Sequence, residues 1–211
     1  MIVVSTNIGE PRHIVRNGVK TKTGIYKKPV NHPIYLGKEV VHGDEVSNRK
    51  VHGGEFKACY LFGEENYRYW EELYPDLNWH YGMIGENLTI TNLDETKLII
   101  GDIYKLGTAL IQITQPREPC ATFGTKIGDM QALKHFVKQA TPGTYVRVLE
   151  EGPVTTGDTM ELVQSTYNSI SISDFFNLIF DRDKNQEHLR LIMDNDALPQ
   201  SKRDKLRMFI E

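Results

Sequence analysis

The sequence predicts a mainly β body, a barrel or a sandwich, interrupted by two helices and followed by a small three-helix unit. Three observations carry this. Short runs rich in β-branched and aromatic residues, most of them separated by Gly, Pro, Asn or Asp, recur through the first three quarters of the chain. Two segments inside that stretch switch to helical spacing. After Gln164 the strand signals stop and only helical periodicity remains, which divides the chain into residues 1–164 and residues 165–211.

The strand runs are Ile2–Val4, Gly24–Val30, Ile34–Leu36, Asn87–Ile90, Ile103–Leu106, Ala109–Thr114, Thr144–Leu149 and Met160–Val163. In Glu64–Tyr74, residues Tyr67, Trp70, Leu73 and Tyr74 share one helical face, and Pro75 closes the segment. In Asp129–Ala140, Met130, Leu133, Phe136, Val137 and Ala140 do the same, with Pro142-Gly143 as the stop. Ser173 is a candidate cap for Asp174–Phe180, Asn185–Asp194 follows, and Ser201 is a candidate cap for Lys202–Ile210. Three amphipathic helices this short are marginal alone, so the unit is expected to pack on the β body, on a second chain or on a partner. A homodimer is one arrangement this allows.

Composition narrows the class. The 211 residues are 39% hydrophobic and 25% charged, as in an ordinary soluble domain, and the formal net charge of −3 argues against bulk attraction to nucleic acid or an anionic membrane. No apolar run reaches membrane-spanning length, and residues 1–7 do not form a secretory leader, so a cytoplasmic protein is expected. Two cysteines, Cys59 and Cys120, fit a reducing compartment. There is no GxGxxG, Walker A, HExxH, paired CxxC or nucleophile elbow.

Four segments are candidates for chemistry. Ile111–Cys120 is an apolar strand run that ends in Pro116-Arg117-Glu118-Pro119-Cys120. The two prolines stiffen the backbone around the thiol, which suits a metal ligand or a nucleophile, and Arg117 favours thiolate. A buried, inert small hydrophobe is the plainer reading of a lone cysteine. In Thr23–Val30 the adjacent lysines Lys27 and Lys28 point to opposite faces if the segment is a strand; Lys28 is carried forward, with the choice between the two open. Arg49 and Lys50 precede His52-Gly53-Gly54, where glycines allow an amide nest for an anion and a tight turn is the plainer alternative. Gly82–Leu88 is a glycine-hinged turn able to aim the Asn87 amide at a heterocycle.

In order, TGIYKKPV, GDEVSNRKVHGG, GENLTI and GDIYKLGTALIQITQPREPC resemble the YiiM-type branch of the MOSC proteins, named after the C-terminal domain of molybdenum cofactor sulfurase. The resemblance spans roughly Ile2 to Val163, and the tail resembles the small 3-alpha domain of the same branch.

The resemblance implies a MOSC β-barrel of the pyruvate-kinase-like type. It implies the molybdenum cofactor, molybdopterin with molybdenum, and no pyridoxal phosphate. Cys120 matches the family's metal-ligating cysteine, and a soft thiolate suits molybdenum. Lys28, Arg49, Lys50, Arg117 and the His52-Gly53-Gly54 turn are candidates for the cofactor's phosphate. His52 and Asn87 match motif positions as cofactor or substrate contacts, and His52 is the candidate proton donor. The implied reaction is reduction of small N-hydroxylated bases and amines, with Cys120 and His52 as the catalytic pair. A separate electron-transfer reductase is implied because the chain has no flavin, haem or iron–sulfur motif. Two other readings stand beside it: sulfur transfer through a Cys120 persulfide, and storage or delivery of the cofactor without turnover.

Overall fold

The computed structural model describes residues 1–16, 18–46 and 53–211. In chain order the strands are β1 (Val3–Gly9), β2 (Arg12–Arg16), β3 (Val19–Thr23), β4 (Lys27–Pro29), β5 (Ile34–Leu36), β6 (Cys59–Gly63), β7 (Leu88–Ile90), β8 (Ile103–Leu106), β9 (Ala109–Pro116), β10 (Thr144–Glu150), β11 (Gly152–Val154) and β12 (Met160–Gln164). The helices are α1 (Tyr67–Leu73), α2 (Ala121–Ile127), α3 (Ala132–Gln139), α4 (Ile172–Phe180), α5 (Gln186–Met193) and α6 (Gln200–Arg207).

Eight strands form one sheet in the order β12-β8-β9-β10-β6-β7-β1-β4, while β5 pairs with β11 and β2 with β3. Within the large sheet only β6 and β7 run parallel. A parallel neighbour needs a crossover rather than a hairpin, and the segment between them, which carries α1, supplies it. The mainly β body with a helical tail is therefore as expected, but the sheet is not closed into a barrel. The β12 end approaches β1, next to the far edge, through the isolated bridge Ile2–Thr159 and the bonds Val3 N–H to Asp158 O (2.9 Å), Gly157 N–H to Val3 O (2.8 Å) and Met160 N–H to Met1 O (3.0 Å). The opposite end is blunted: β4 is three residues long and finishes at Pro29, which has no N–H to extend a ladder.

β6 divides the interior. Its five residues are all buried, with Cys59 and Leu61 in an aliphatic core and Tyr60 and Phe62 in an aromatic one. The aliphatic core collects Val3, Leu88, Ile90, Ile111, Ile113, Val146 and Val148 from the sheet, and Phe175, Leu178, Leu189, Ile192 and Leu206 from the tail. The C-terminal helices thus complete the core of the sheet, which answers the expectation that they pack on the β body. The aromatic core gathers Tyr67 and Trp70 of α1, Phe123 of α2, Phe136 of α3 and Phe176 of α4.

Capping differs from expectation at two helices. Ser171, not Ser173, caps α4: its Oγ accepts from Asp174 N–H at 3.0 Å and donates to the Asp174 carboxylate at 2.7 Å. Asn185 caps α5 by accepting from His188 N–H. At α6 the cap position is Pro199, with no side-chain bond, so Ser201 lies inside the helix.

Candidate functional site: a basic cavity at the Cys120 turn

β9 ends at Pro116, and the turn that follows delivers Cys120 as the N-cap of α2, with extended backbone (φ −126°, ψ 159°). The Cys120 carbonyl accepts from Phe123 N–H at 2.9 Å, which leaves the half-buried side chain on the wall of a cavity of about 200 Å³. Lys27, Asp44, Lys57, Tyr60, Asn87, Arg117 and Tyr145 share that wall. Close backbone approach shapes the floor. A Cβ on Gly24 would lie 1.8 Å from the carbonyl oxygen of Glu45, and one on Gly85 (φ +102°) would press on Ile25 and the Arg117 guanidinium.

Arg117 is buried among rings. Its guanidinium carbon lies 5.1 Å from the ring centroids of Tyr60 and Phe123 and 5.6 Å from that of Phe136, and Nη1 donates to the Ile84 carbonyl. Burial works against its charge, but the pull of Tyr60, Tyr145 and Cys120 outweighs burial and holds the guanidinium's pKa above its ordinary value. A permanent positive charge therefore stands beside the thiol. Burial also pushes the phenols of Tyr60 and Tyr145 up, so both remain protonated donors at neutral pH. Tyr60 uses its hydroxyl on the Pro142 carbonyl, 2.7 Å away. Lys57 lies 5.5 Å from the Tyr145 ring, and desolvation, with Lys202 and Lys205 nearby, pulls its pKa down.

The two lysines of β4 separate cleanly. Strand alternation buries Lys27 and exposes Lys28, so Lys28, the residue carried forward from sequence, faces away from the cavity and Lys27 lines it. Lys27 makes an ion pair with Asp44, whose side chains are only 7% and 2% exposed. Asp44 also accepts from Gly9 N–H (2.7 Å) and Asn87 Nδ2 (3.0 Å), so one carboxylate ties together β1, β4 and the start of β7.

Asn87 is present as expected but is engaged by the protein itself. Its Oδ1 accepts from Tyr60 N–H at 3.3 Å, and Nδ2 donates to Asp44 and to the Asn7 carbonyl. It braces the cavity wall rather than presenting an open amide. Gly53 and Gly54 do not line the cavity; they lead into the short 3-10 turn Glu55–Lys57 that brings Lys57 there. Arg49, Lys50 and His52 lie outside the described residues. Cys120, Arg117 and Asn87 are thus brought together. Sequence reasoning left Lys27 open against Lys28 and missed Lys57, Tyr60, Tyr145 and the anchoring role of Asp44. Once β6 is known to be a strand, the two-residue repeat of strand geometry points Tyr60 toward Arg117 and Cys59 away from it.

Behind the wall, Lys126 of α2 donates to the carbonyls of Ile25 (2.8 Å) and Gly82 (3.1 Å). Burial lowers its pKa to about 7. Among the described residues no group of three or more His, Cys, Asp or Glu side chains is placed to hold a metal ion. Among those residues, too, no helix is long and apolar enough to cross a membrane.

The site is thus an open β sheet that carries, on one cavity wall, a half-buried thiol with Lys27, Lys57 and Arg117. The MOSC domain family matches residues 48–161, and the chain belongs to that family, in its YiiM-type branch. YflK of Bacillus subtilis, an uncharacterized protein, is 34% identical over 201 residues, covering 94% of this chain and 90% of YflK. A protein named reductase from Gibberella moniliformis is 33% identical over 159 residues, which span 74% of this chain but 28% of that longer protein. The crystal structure of YiiM from Geobacillus stearothermophilus superposes with a TM-score of 0.82 at 31% identity, covering 100% of this chain and 99% of that one. MOSC domains are associated with the molybdenum cofactor, and the donor set fits such a group: a half-buried thiol for a soft metal, with cations at hand for phosphate.

Proposed function

We propose that this protein binds the molybdenum cofactor in the Cys120 cavity and reduces small N-hydroxylated bases and amines, with electrons from a separate reductase. The observation that carries the reading is the half-buried Cys120 side chain on a cavity wall shared with Lys27, Lys57 and Arg117. When bound, the cofactor supplies two-electron reduction coupled to removal of an oxygen atom. Overall, the N–O bond breaks, two electrons and two protons enter, and the parent amine and water leave.

The chain's own residues have the following roles in this reading. Cys120 is the protein thiolate that holds the metal. Arg117, kept charged by its aromatic surroundings, stabilises that thiolate and offsets the cofactor's negative charge. Lys57 lies at the wall for the phosphate, with Arg49 and Lys50 as further candidates from sequence. The Lys27–Asp44–Asn87 network fixes the cavity wall, and His52 remains the candidate proton donor. Tyr60 and Tyr145 limit water on the inner side.

The test uses protein produced in a host that makes the cofactor. Stoichiometric molybdenum and turnover of an N-hydroxylated purine with dithionite-reduced viologen are expected, and Cys120→Ser loses both. Molybdenum without turnover overturns the reductase in favour of a delivery module. No molybdenum in the wild-type protein overturns cofactor binding altogether.

A further inference from the structure

The β2–β3 hairpin is the part of the molecule that the cavity does not explain. Its strands pair with each other and with no other strand. Residues 12–23 contain four basic residues, Arg12, Arg16, Lys20 and Lys22, and no carboxylate, although the chain as a whole is net acidic at −3. Charge is therefore concentrated here against the trend of the rest of the protein.

Pairing register sorts the hairpin's two faces. Residues directly opposite one another share a face, so Ile14 with Thr21 and Arg12 with Thr23 form one side, and His13 with Lys22 and Val15 with Lys20 form the other. The first side is turned to the protein: Thr21 and Thr23 line the cavity, and Arg12 lies 5.1 Å from the Tyr26 ring. Lys22, at the base, bends back to Glu45 at 3.0 Å on the cavity rim. The second side looks outward, with Lys20 and His13 exposed and Val15 70% exposed; Val19, which pairs with Arg16 and so belongs to the first side, is 63% exposed near the tip.

We propose that this outward face is the docking surface for a small acidic electron carrier. The inference rests on the reductase reading, which requires electrons from outside the chain. Charge supplies the partner's sign, since basic groups at a cavity mouth steer an acidic protein toward it and raise its rate of encounter. The exposed valine supplies its kind. Interfaces between proteins combine a small apolar centre with a charged rim, which Val15, sharing its face with Lys20 and Lys22, reproduces. An extended polyanion would also meet the net acidic remainder of the molecule. Distance is suitable as well: five residues of strand span roughly 17 Å, so a carrier on the hairpin sits over the cavity it serves.

The test measures binding and turnover separately. Flavodoxin and a plant-type [2Fe–2S] ferredoxin, both acidic one-electron carriers, are immobilised, and the protein and its Lys20→Glu, Lys20→Arg and Val15→Asp variants are passed over them. At least one carrier is expected to bind the wild type, with affinity falling at least about tenfold between 20 and 200 mM NaCl. Lys20→Glu and Val15→Asp are expected to weaken it at least about fivefold and Lys20→Arg to preserve it. Viologen-driven turnover stays within about twofold in all three, because neither residue lines the cavity. Equal binding of wild type and Lys20→Glu, no binding of either carrier at 20 mM NaCl, or tighter binding of a single-stranded DNA oligonucleotide overturns the proposal. Absence of viologen-driven turnover in cofactor-loaded wild type sinks the reductase reading itself, whatever the hairpin binds.

Discussion

The two cores of this protein treat a buried charge in opposite ways. On the aliphatic side buried Glu95 accepts from Gly143 N–H (3.1 Å) and Asn66 Nδ2 (3.5 Å); burial, with the Asp94 and Glu65 carboxylates adding to it, pushes its pKa up to about 7. On the aromatic side Arg117 is as deeply buried, yet the faces of Tyr60, Phe123 and Phe136 and the neighbouring thiol keep it charged. Aliphatic groups offer a charge nothing but desolvation, whereas aromatic faces carry partial negative charge. The contrast places the chemistry. The aromatic side of β6 holds the buried Arg117 cation, and that is the side on which Cys120 packs. The cysteines divide accordingly: Cys59 belongs to the aliphatic core, and burial there pushes its thiol pKa far up.

Six substitutions probe this contrast. The largest effect belongs to Cys120→Ala, which leaves the fold intact and abolishes reduction of an N-hydroxylated purine by cofactor-loaded protein, a loss of at least about a hundredfold. Full activity in that variant ends the assignment of the thiolate. Next is Lys27→Met, which strands the Asp44 carboxylate in a buried place and is expected to destabilise by about 3–5 kcal/mol in urea unfolding. Lys28→Met, on the exposed face, changes stability by less than about 0.5 kcal/mol. Equal effects at the two positions would refute the inward placement of Lys27.

Glu95→Gln tests the aliphatic side through pH. The folded pKa, about 7, lies above its ordinary value of 4.5, so the folded protein keeps a proton that the unfolded chain has lost. Stability is full below pH 4.5 and declines as pH rises to about 7, by roughly 3 kcal/mol from this group. Glu95→Gln flattens that decline; an unchanged stability profile between pH 5 and 8 would show that the carboxyl titrates normally. On the aromatic side, Arg117→Leu leaves the Ile84 carbonyl without its donor and is expected to destabilise by about 2 kcal/mol at every pH from 5 to 8. A pH-dependent loss would mean the guanidinium is not what responds. Smaller than Arg117→Leu is Cys59→Ala, with a loss of about 1 kcal/mol and activity within twofold of wild type, measured in the same assays.

Much of the fold is legible from local pattern. β5 and β8 lie where alternation and turn residues put them, residue for residue, because each is short, punctuated and half buried. β6 is not legible in the same way: with all five residues buried on one side or the other it shows no alternation, and its sequence is indistinguishable from general packing. α2 is too short to display a period and contains a glycine. The β2–β3 hairpin carries a signal that goes unused, Asn17-Gly18 between two alternating runs, which is the commonest sequence mark of a tight hairpin.

The site divides along the same line. By itself the sequence determines that a thiol follows two prolines, that Arg117 is three residues away, and that the β body precedes a helical tail, since each depends on neighbours in the chain. Only the tertiary structure decides that Lys27 rather than Lys28 reaches the cavity, that the Asn87 amide braces Tyr60 and Asp44, that Arg117 lies among three rings, and that the sheet stays open. Alternation fixes which residues share a face, but which face turns inward is set by what packs against it, and those partners come from segments far apart in sequence.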